Sequence, residues 1–351
     1  MKRTATLLGI TLSVVLILSI TMLSCQSSAA AEAGSSNSAA TTVAVAKISS
    51  TCISCHNSRG LVVARNAQRS NSLHVISFTF QGGAAECTIC HSSEGFTERI
   101  AAGTFEISAD IKNPSPINCR TCHKIHKTFT SSDWALTTDA PVVLQLTGDT
   151  FDEGKGNLCV NCHQARPGTD VPQAGGGNYE ITSTSFGPHH RPQSSMLLGV
   201  GGYGEYKGSN VHYDAVDEGC ISCHMTDTAV GKVAGGHTMN ITYEAEGEPA
   251  EFLTGCLTCH EDIESLDRNG VQTEIAAMIE KVRVLLVKQG LIVADSEPGA
   301  IPDGVAGTFT SEQAGALWNF KTVMEDRSEG IHNPGYTKFL LQTALDALNK
   351  K

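Results

Sequence analysis

The chain has 351 residues, 40% of them apolar but only 5% aromatic, and 34 are glycine. That is a thin supply of large core side chains for one or two domains, so something other than side chains is expected to fill part of the interior. Lys and Arg number 25 against 36 Asp and Glu, a formal charge of −11, and this acidic balance argues against a nucleic-acid partner.

In chain order, Lys2 and Arg3 form a positive start and Leu7 to Ile20 an apolar run. The run has the length of a signal-peptide core and falls short of the roughly 20 apolar residues a membrane span needs. Met22-Leu23-Ser24-Cys25 follows and resembles the lipobox of bacterial lipoproteins, although Met22 stands where those proteins usually carry Leu. The resemblance implies a lipoprotein signal peptide over 1–24 and lipidation of Cys25. The alternative is an ordinary signal peptide cut near Ala29-Ala30-Ala31. Gln26 after the cysteine favours, in those families, the outer membrane. Residues 25–50 are rich in Ser, Ala, Thr and Gly and read as a flexible tether. The expected location is therefore export followed by lipid anchoring to the cell envelope, on the periplasmic or outer face of the outer membrane.

Of 13 cysteines, Cys25 stands apart and the other twelve form six C-x-x-C-H units. The cysteine pairs are Cys52 and Cys55, Cys87 and Cys90, Cys119 and Cys122, Cys159 and Cys162, Cys220 and Cys223, and Cys256 and Cys259. The units end at His56, His91, His123, His163, His224 and His260. With Cys and His each 13 of 351 residues, three fixed positions would coincide by chance about 0.02 times. The spacing has a chemical reason. Two thiols three residues apart add to the two vinyl groups of one haem, and the adjacent histidine reaches the iron from the same side. Zinc or disulfide pairing leaves six histidines unexplained. The expected cofactor is haem c, six copies covalently attached, with those six histidines as proximal iron ligands. Haem attachment takes place outside the cytoplasm, in agreement with the independent export signal.

Seven further histidines remain: His74, His126, His189, His190, His212, His237 and His332. Adjacent His189 and His190 point different ways, so one of them is expected to ligate. That leaves six distal ligands for six irons, with His74, His126, His189, His212, His237 and His332 as the set. His126 lies three residues after His123, on the same face of a helical turn. It cannot close the opposite face of its neighbour's haem and must serve another. Met196, Met225 and Met239 are the alternative sixth ligands.

Several stretches resemble the multihaem cytochrome superfamily that includes the pentahaem nitrite reductases and their octahaem relatives. They are Gly187-Pro188-His189 with Gln193, Met196-Leu197 and Gly199; Cys220 through Met225 with Gly235-Gly236-His237-Thr238; Gly330-Ile331-His332-Asn333-Pro334; and Gly156-Asn157-Leu158-Cys159 through His163-Gln164-Ala165-Arg166. The resemblance spans roughly residues 50–350 and is strongest after 155. It implies that His189, His237 and His332 are distal ligands and that His190 is not. The nitrite reductases hold their catalytic haem through C-x-x-C-K, whereas all six units here end in histidine. Nitrite reduction therefore does not carry over.

The units begin 30 to 40 residues apart at first, with a gap of 61 from Cys159 to Cys220 and then 36 to Cys256. Beyond residue 24 there are 351 − 24 = 327 residues, about 54 per unit, too few for six separate cytochrome folds. The expected fold is mainly α with much irregular structure, a multihaem cytochrome c fold around a packed haem array. A hexahaem-binding domain is expected over 51–265 and a helical region packing on it over 266–351. Short strand-like runs at Val75 to Phe80 and Val142 to Leu146 alternate only weakly, and 165–210 reads as loop apart from the ligand segment. Ile275, Ile279, Val282 and Leu286 mark a helix over 271–289 ended by Gly290. A second fits 311–330, with a capping box from Thr310 to Gln313 and with Leu317, Trp318 and Met324 facing inward. A third fits 334–350, with Asn333 as N-cap, Pro334 first, and Phe339, Leu340, Ala344 and Leu348 as its stripe. In the resembled family such helices back the haem core and often form a dimer interface.

The function this predicts is electron transfer through bis-histidine haems, to redox partner proteins or extracellular electron acceptors. The chain reads as a carrier rather than an enzyme. One alternative is a reductase of nitrite, hydroxylamine or a sulfur oxyanion at one open haem, with His190, Arg191, Tyr203 and Tyr206 as its polar groups. Another is a subunit of a haem filament, one form of homo-oligomer.

Overall fold

The computed structural model describes residues 52–53, 56, 61–76, 83–166, 170–227, 230–294 and 300–350. They all fall in one compact unit, Ile48–Lys351. The signal peptide, the tether, Cys25 and Cys55 lie outside the described residues. None of the described helices is long and apolar enough to cross a membrane.

The first half consists of short helices joined by long irregular segments. α1 (Leu61–Arg69), α2 (Ala85–His91), α3 (Ser93–Ala102), α4 (Cys119–Cys122) and α5 (Asn157–Val160) are followed by α6 (Gln193–Leu198), α7 (Val211–Ala215) and α8 (Cys220–His224). Among the described residues there are three two-stranded antiparallel sheets. β1 (Val142–Val143) pairs with β2 (Thr150–Phe151). β4 (Thr242–Ala245) pairs with β5 (Glu248–Glu251) across a two-residue turn, Glu246-Gly247. Both turn residues have positive φ, 55° and 88°, the twist that tight hairpins require. β3 (Asn178–Ile181) pairs with β6 (Gly307–Thr310), Asn178 opposite Thr310.

The second half is regular. α9 (Val271–Lys288), α10 (Ser311–Asp326) and α11 (Pro334–Asn349) pack together, α10 and α11 most closely. The Thr310 hydroxyl accepts from the Gln313 amide at 3.1 Å and the Gln313 side chain answers the Thr310 N–H at 3.0 Å, the expected capping box. The Asn333 side chain caps α11 through the Tyr336 amide. Ile275, Val282, Leu286, Leu317, Trp318, Leu340, Ala344 and Leu348 are buried as their spacing predicts, while Ile279, Met324 and Phe339 are half-buried against the same cluster. α10 is the central rod, buried on nearly every side. Its polar positions are satisfied: Asn319 bonds the Tyr203 backbone N–H and C=O and the Leu340 carbonyl, and Trp318 Nε1 donates to the Gly201 carbonyl at 2.8 Å. Gly315 lies against the Tyr203 ring, with no room for a Cβ.

Three expectations differ in detail. α10 stops at Asp326, four residues early, because Arg327 turns left-handed (φ 58°) and Glu329 follows at 50°. Leu73–Ile76 is a 3-10 turn rather than the start of a strand, and 77–80 lie outside the described residues. The loop over 165–210 contains β3, whose partner β6 lies more than 120 residues later, a pairing that local alternation does not signal.

Candidate haem-binding sites

Each of the five fully described C-x-x-C-H units coils into a single turn. The histidine N–H donates to the carbonyl of the first cysteine in the third, fourth and sixth units, His123 to Cys119, His163 to Cys159 and His260 to Cys256, each at 2.9 Å. One helical turn puts residues i and i+3 on a common face, so the two thiols point the same way with the imidazole beside them. Every described cysteine is a free thiol.

The long-range arrangement of the histidines is the central observation. His56 faces His126 at 6.0 Å between ring centres, His74 faces His163 at 6.0 Å, and His123 faces His237 at 6.2 Å. His212 faces His260 and His224 faces His332, both at 6.3 Å. His91 lies close enough to His189 to depress its basicity. Each pair joins one histidine of a C-x-x-C-H unit to one of the six other histidines singled out above. A metal binds an imidazole nitrogen at about 2.0 Å, and that nitrogen lies about 1.1 Å from its ring centre, so two imidazoles on opposite faces of one iron have centres about 6.2 Å apart. The spacing leaves room for an iron, and His126 indeed faces another unit's histidine.

The other ring nitrogens say which end of each imidazole is free. Nδ1 of His123 donates to the Trp134 carbonyl at 2.7 Å, that of His212 to the Ile331 carbonyl at 2.7 Å, and that of His224 to the Met239 carbonyl at 2.9 Å. His163 Nδ1 meets Gln193 Oε1 at 3.1 Å, His74 Nδ1 meets Ser72 Oγ at 3.2 Å, and His332 Nδ1 donates to Asp326 Oδ1 at 2.7 Å. A proton held on Nδ1 leaves Nε2 as the lone-pair nitrogen, the arrangement metal-binding histidines use. His237 Nδ1 is buried with no hydrogen-bond partner, and His189 Nε2 is met by Arg166 Nη2 at 2.7 Å.

Protonation points the same way. Burial, with Arg191 nearby, pulls His74 down to about 4. Burial, with His74 next, pulls His163 down to about 3. Burial lowers His237 and His189 to about 4, helped by Arg65 and Arg166 respectively, and lowers His224 as well. These imidazoles are neutral at pH 7, as ligands must be. His332 is the exception. Burial pulls it down, but the Asp326 carboxylate outweighs that and leaves it above the ordinary value.

Bare apolar side chains border the pairs. Ile53, Leu73, Ile76, Phe129 and Val211 are each more than half exposed and Leu257 nearly so, and each lies within three residues of a paired histidine. The Phe129 ring stacks on His126 with centres 5.4 Å apart, and Trp134 meets His123 edge-on at 6.2 Å. A flat apolar macrocycle between the imidazoles would cover such surface. Free paired thiols, neutral opposed imidazoles and uncovered apolar rims together fit haem c.

The units also touch one another. Cys90 lies beside Cys162, and Cys159 beside Cys220, each pair within electrostatic reach. Cys122 lies within electrostatic reach of Cys159, and Cys223 of Cys256. Arg99, 2% exposed, bolts the second unit to the fourth. Its Nε donates to the Ile89 carbonyl and its Nη2 to the Asn161 carbonyl, each at 2.8 Å, while the guanidinium lies over the Phe96 and Phe105 rings at 5.0 and 4.5 Å.

The proposed open-haem polar cluster is not assembled. Tyr203 is buried beside α10 and Tyr206 packs on Tyr336 and Phe339, in the helical core. His190 pairs with Glu325 at 3.2 Å. Arg191 is exposed near His74, with Arg327 and Glu325 as its charged neighbours. Met196 is wholly buried in the helical core, and Met239 serves through its carbonyl. The Nδ1 acceptors Trp134, Ile331 and Asp326 have no signature in the sequence, since two act through their backbone and the third lies six residues from its histidine.

No protein-family model matches the chain, and no curated protein matches it in sequence. Among solved structures, the outer cell wall cytochrome OcwA aligns with 81% of this chain at a TM-score of 0.52 and 20% identity. An undecahaem cytochrome from the S-layer of Carboxydothermus ferrireducens aligns with 78% at 0.47 and 18%. The chain spans 50% and 40% of those two proteins. The first likeness shows a shared fold: short helices and irregular segments with small sheets, as in that cytochrome.

Proposed function

We propose that this chain is a multihaem c-type cytochrome that passes electrons through six covalently attached haems, each held between two imidazoles. The observation that carries this reading is the set of five facing histidine pairs, with His189 near His91 for the remaining unit. Haem c bound there supplies an iron that exchanges single electrons without changing its ligands. The thiols tether, the paired imidazoles occupy both axial positions, and the Nδ1 hydrogen bonds fix ring orientation. A reductase needs one proximal histidine without an opposing imidazole, and five of the six face one.

The attachment sites form an order in space that differs from their order in sequence. His123 and His126 leave one loop for the third and first sites. Cys122 and Cys159 link the third to the fourth, Cys159 and Cys220 the fourth to the fifth, and Cys223 and Cys256 the fifth to the sixth. Asn210, two residues before His212, donates to the His332 carbonyl at 2.8 Å and binds the fifth and sixth sites together. The second site joins the fourth through Cys90, Cys162 and Arg99. The reading is a line running one, three, four, five, six, with the second site as a branch at the fourth.

The location follows from the N-terminus: export, lipidation at Cys25 and attachment to the envelope, with redox proteins or extracellular acceptors as partners. Mass spectrometry of the mature protein tests the count, with six haems expected. Paramagnetic resonance of the oxidised protein should show low-spin iron only, and a high-spin five-coordinate signal would return the reductase reading. Cys25→Ser should abolish lipid labelling and release the protein from membranes.

A further inference from the structure

The six paired imidazoles with an identified Nδ1 partner are not equivalent. Three meet backbone carbonyls, one an amide and one a hydroxyl, whereas His332 donates to the carboxylate of Asp326 at 2.7 Å. Asp326 is 3% exposed, so little water screens that charge. Its second oxygen accepts from Ser328 Oγ, and that same hydroxyl is met by the His332 and Gly330 amides. The early end of α10 makes this possible. The left-handed turn at Arg327 brings Ser328 and His332 back over the last helical residue.

The neighbouring site is wired to the same residue. Gln193 Oε1 meets His163 Nδ1 and its Nε2 donates to the Asp326 backbone carbonyl at 3.0 Å. One hydrogen-bond chain thus runs from a ligand of the fourth site to a ligand of the fifth, ending on a neutral amide at one end and on an anion at the other.

We infer that Asp326 is a positioning residue that strengthens His332 as an axial donor, so that the iron held by His224 and His332 is harder to reduce than it would be with a neutral group on His332 Nδ1. The physical reason is that an anionic acceptor on Nδ1 draws its proton away and raises the donor strength of Nε2. A more basic ligand favours the more highly charged, oxidised iron, and second-sphere hydrogen bonding is one of the levers a protein has on potential. Charged hydrogen bonds are about twice as strong as neutral ones, so the carbonyl-bonded imidazoles of the other sites receive a smaller push. The inference rests on the haem reading proposed above.

The test is a potentiometric titration of the full-length protein and of Asp326→Asn, with haem count and low-spin signal recorded for both. In Asp326→Asn one wave should rise by a tenfold change in its oxidised-to-reduced ratio, about 59 mV for one electron, and one low-spin signal should shift. Asp326→Glu should restore the original wave. Ser328→Ala, which leaves the carboxylate in place but removes a donor to it, should move the same wave down. Fewer than six haems in the unaltered protein would break the haem reading itself. Six low-spin haems whose waves all stay put in both Asp326→Asn and Ser328→Ala would overturn the role of Asp326 alone.

Discussion

The two halves of this molecule hold themselves together in different ways. From α9 onward, three helices, two of them capped by side chains, bury an aliphatic and aromatic cluster of their own, with Ile275, Leu286, Leu317, Trp318, Phe320, Leu340 and Leu341 removed from water. Before residue 136, the described buried apolar side chains are Ile89 and Phe96. There the chain is bolted by polar contacts: Arg99 on two carbonyls, Asn118 capping the third haem unit, Asp133 accepting from the Thr128 and Phe129 amides. A segment that buries so little cannot offset the entropy of ordering its backbone. It needs a filler, and the uncovered apolar residues beside the histidine pairs mark where the filler goes.

The largest effect should come from withholding the filler. A chain made without haem attachment should be cut by protease first within 61–166, with 271–349 protected longest, as peptide mass mapping would show. Cuts spread evenly over both regions would erase the contrast. Next, Trp318→Ala should cost about 3–5 kcal/mol, since a wholly buried indole leaves a cavity. Denaturant titration measures the loss, and haem content should stay at six if the helical half stands on its own core. Arg99→Met should cost about 2 kcal/mol by leaving the Ile89 and Asn161 carbonyls unpaired, and the loss should appear in the haem-bearing region by hydrogen exchange. Thr310→Ala, which removes the cap of α10, should cost about 1 kcal/mol, confined to the helical half.

Much of the helical half was legible beforehand. Spacing located all three helices, and Thr310, Gln313, Asn333 and Pro334 act as their sequence positions predict. Helix signals are local, and so are caps. α10 ends four residues short of its expected limit because Arg327 turns left-handed, a turn at a non-glycine residue that helix spacing does not signal. The strand pair β3 and β6 was invisible because its two partners lie far apart in the chain.

The six C-x-x-C-H units were determined by sequence alone, because two thiols and an imidazole that must meet one haem edge fit within one helical turn. Counting left seven further histidines for six distal positions, and the family resemblance chose His189 over His190. Which histidine faces which was decided only by the tertiary structure, since the partners lie between 260 − 212 = 48 and 237 − 123 = 114 residues apart. The opposite face of an iron is a relation through space, and linear spacing carries no record of it. The acceptor on each Nδ1 was decided the same way, and there the fold sets one carboxylate, that of Asp326, among neutral partners.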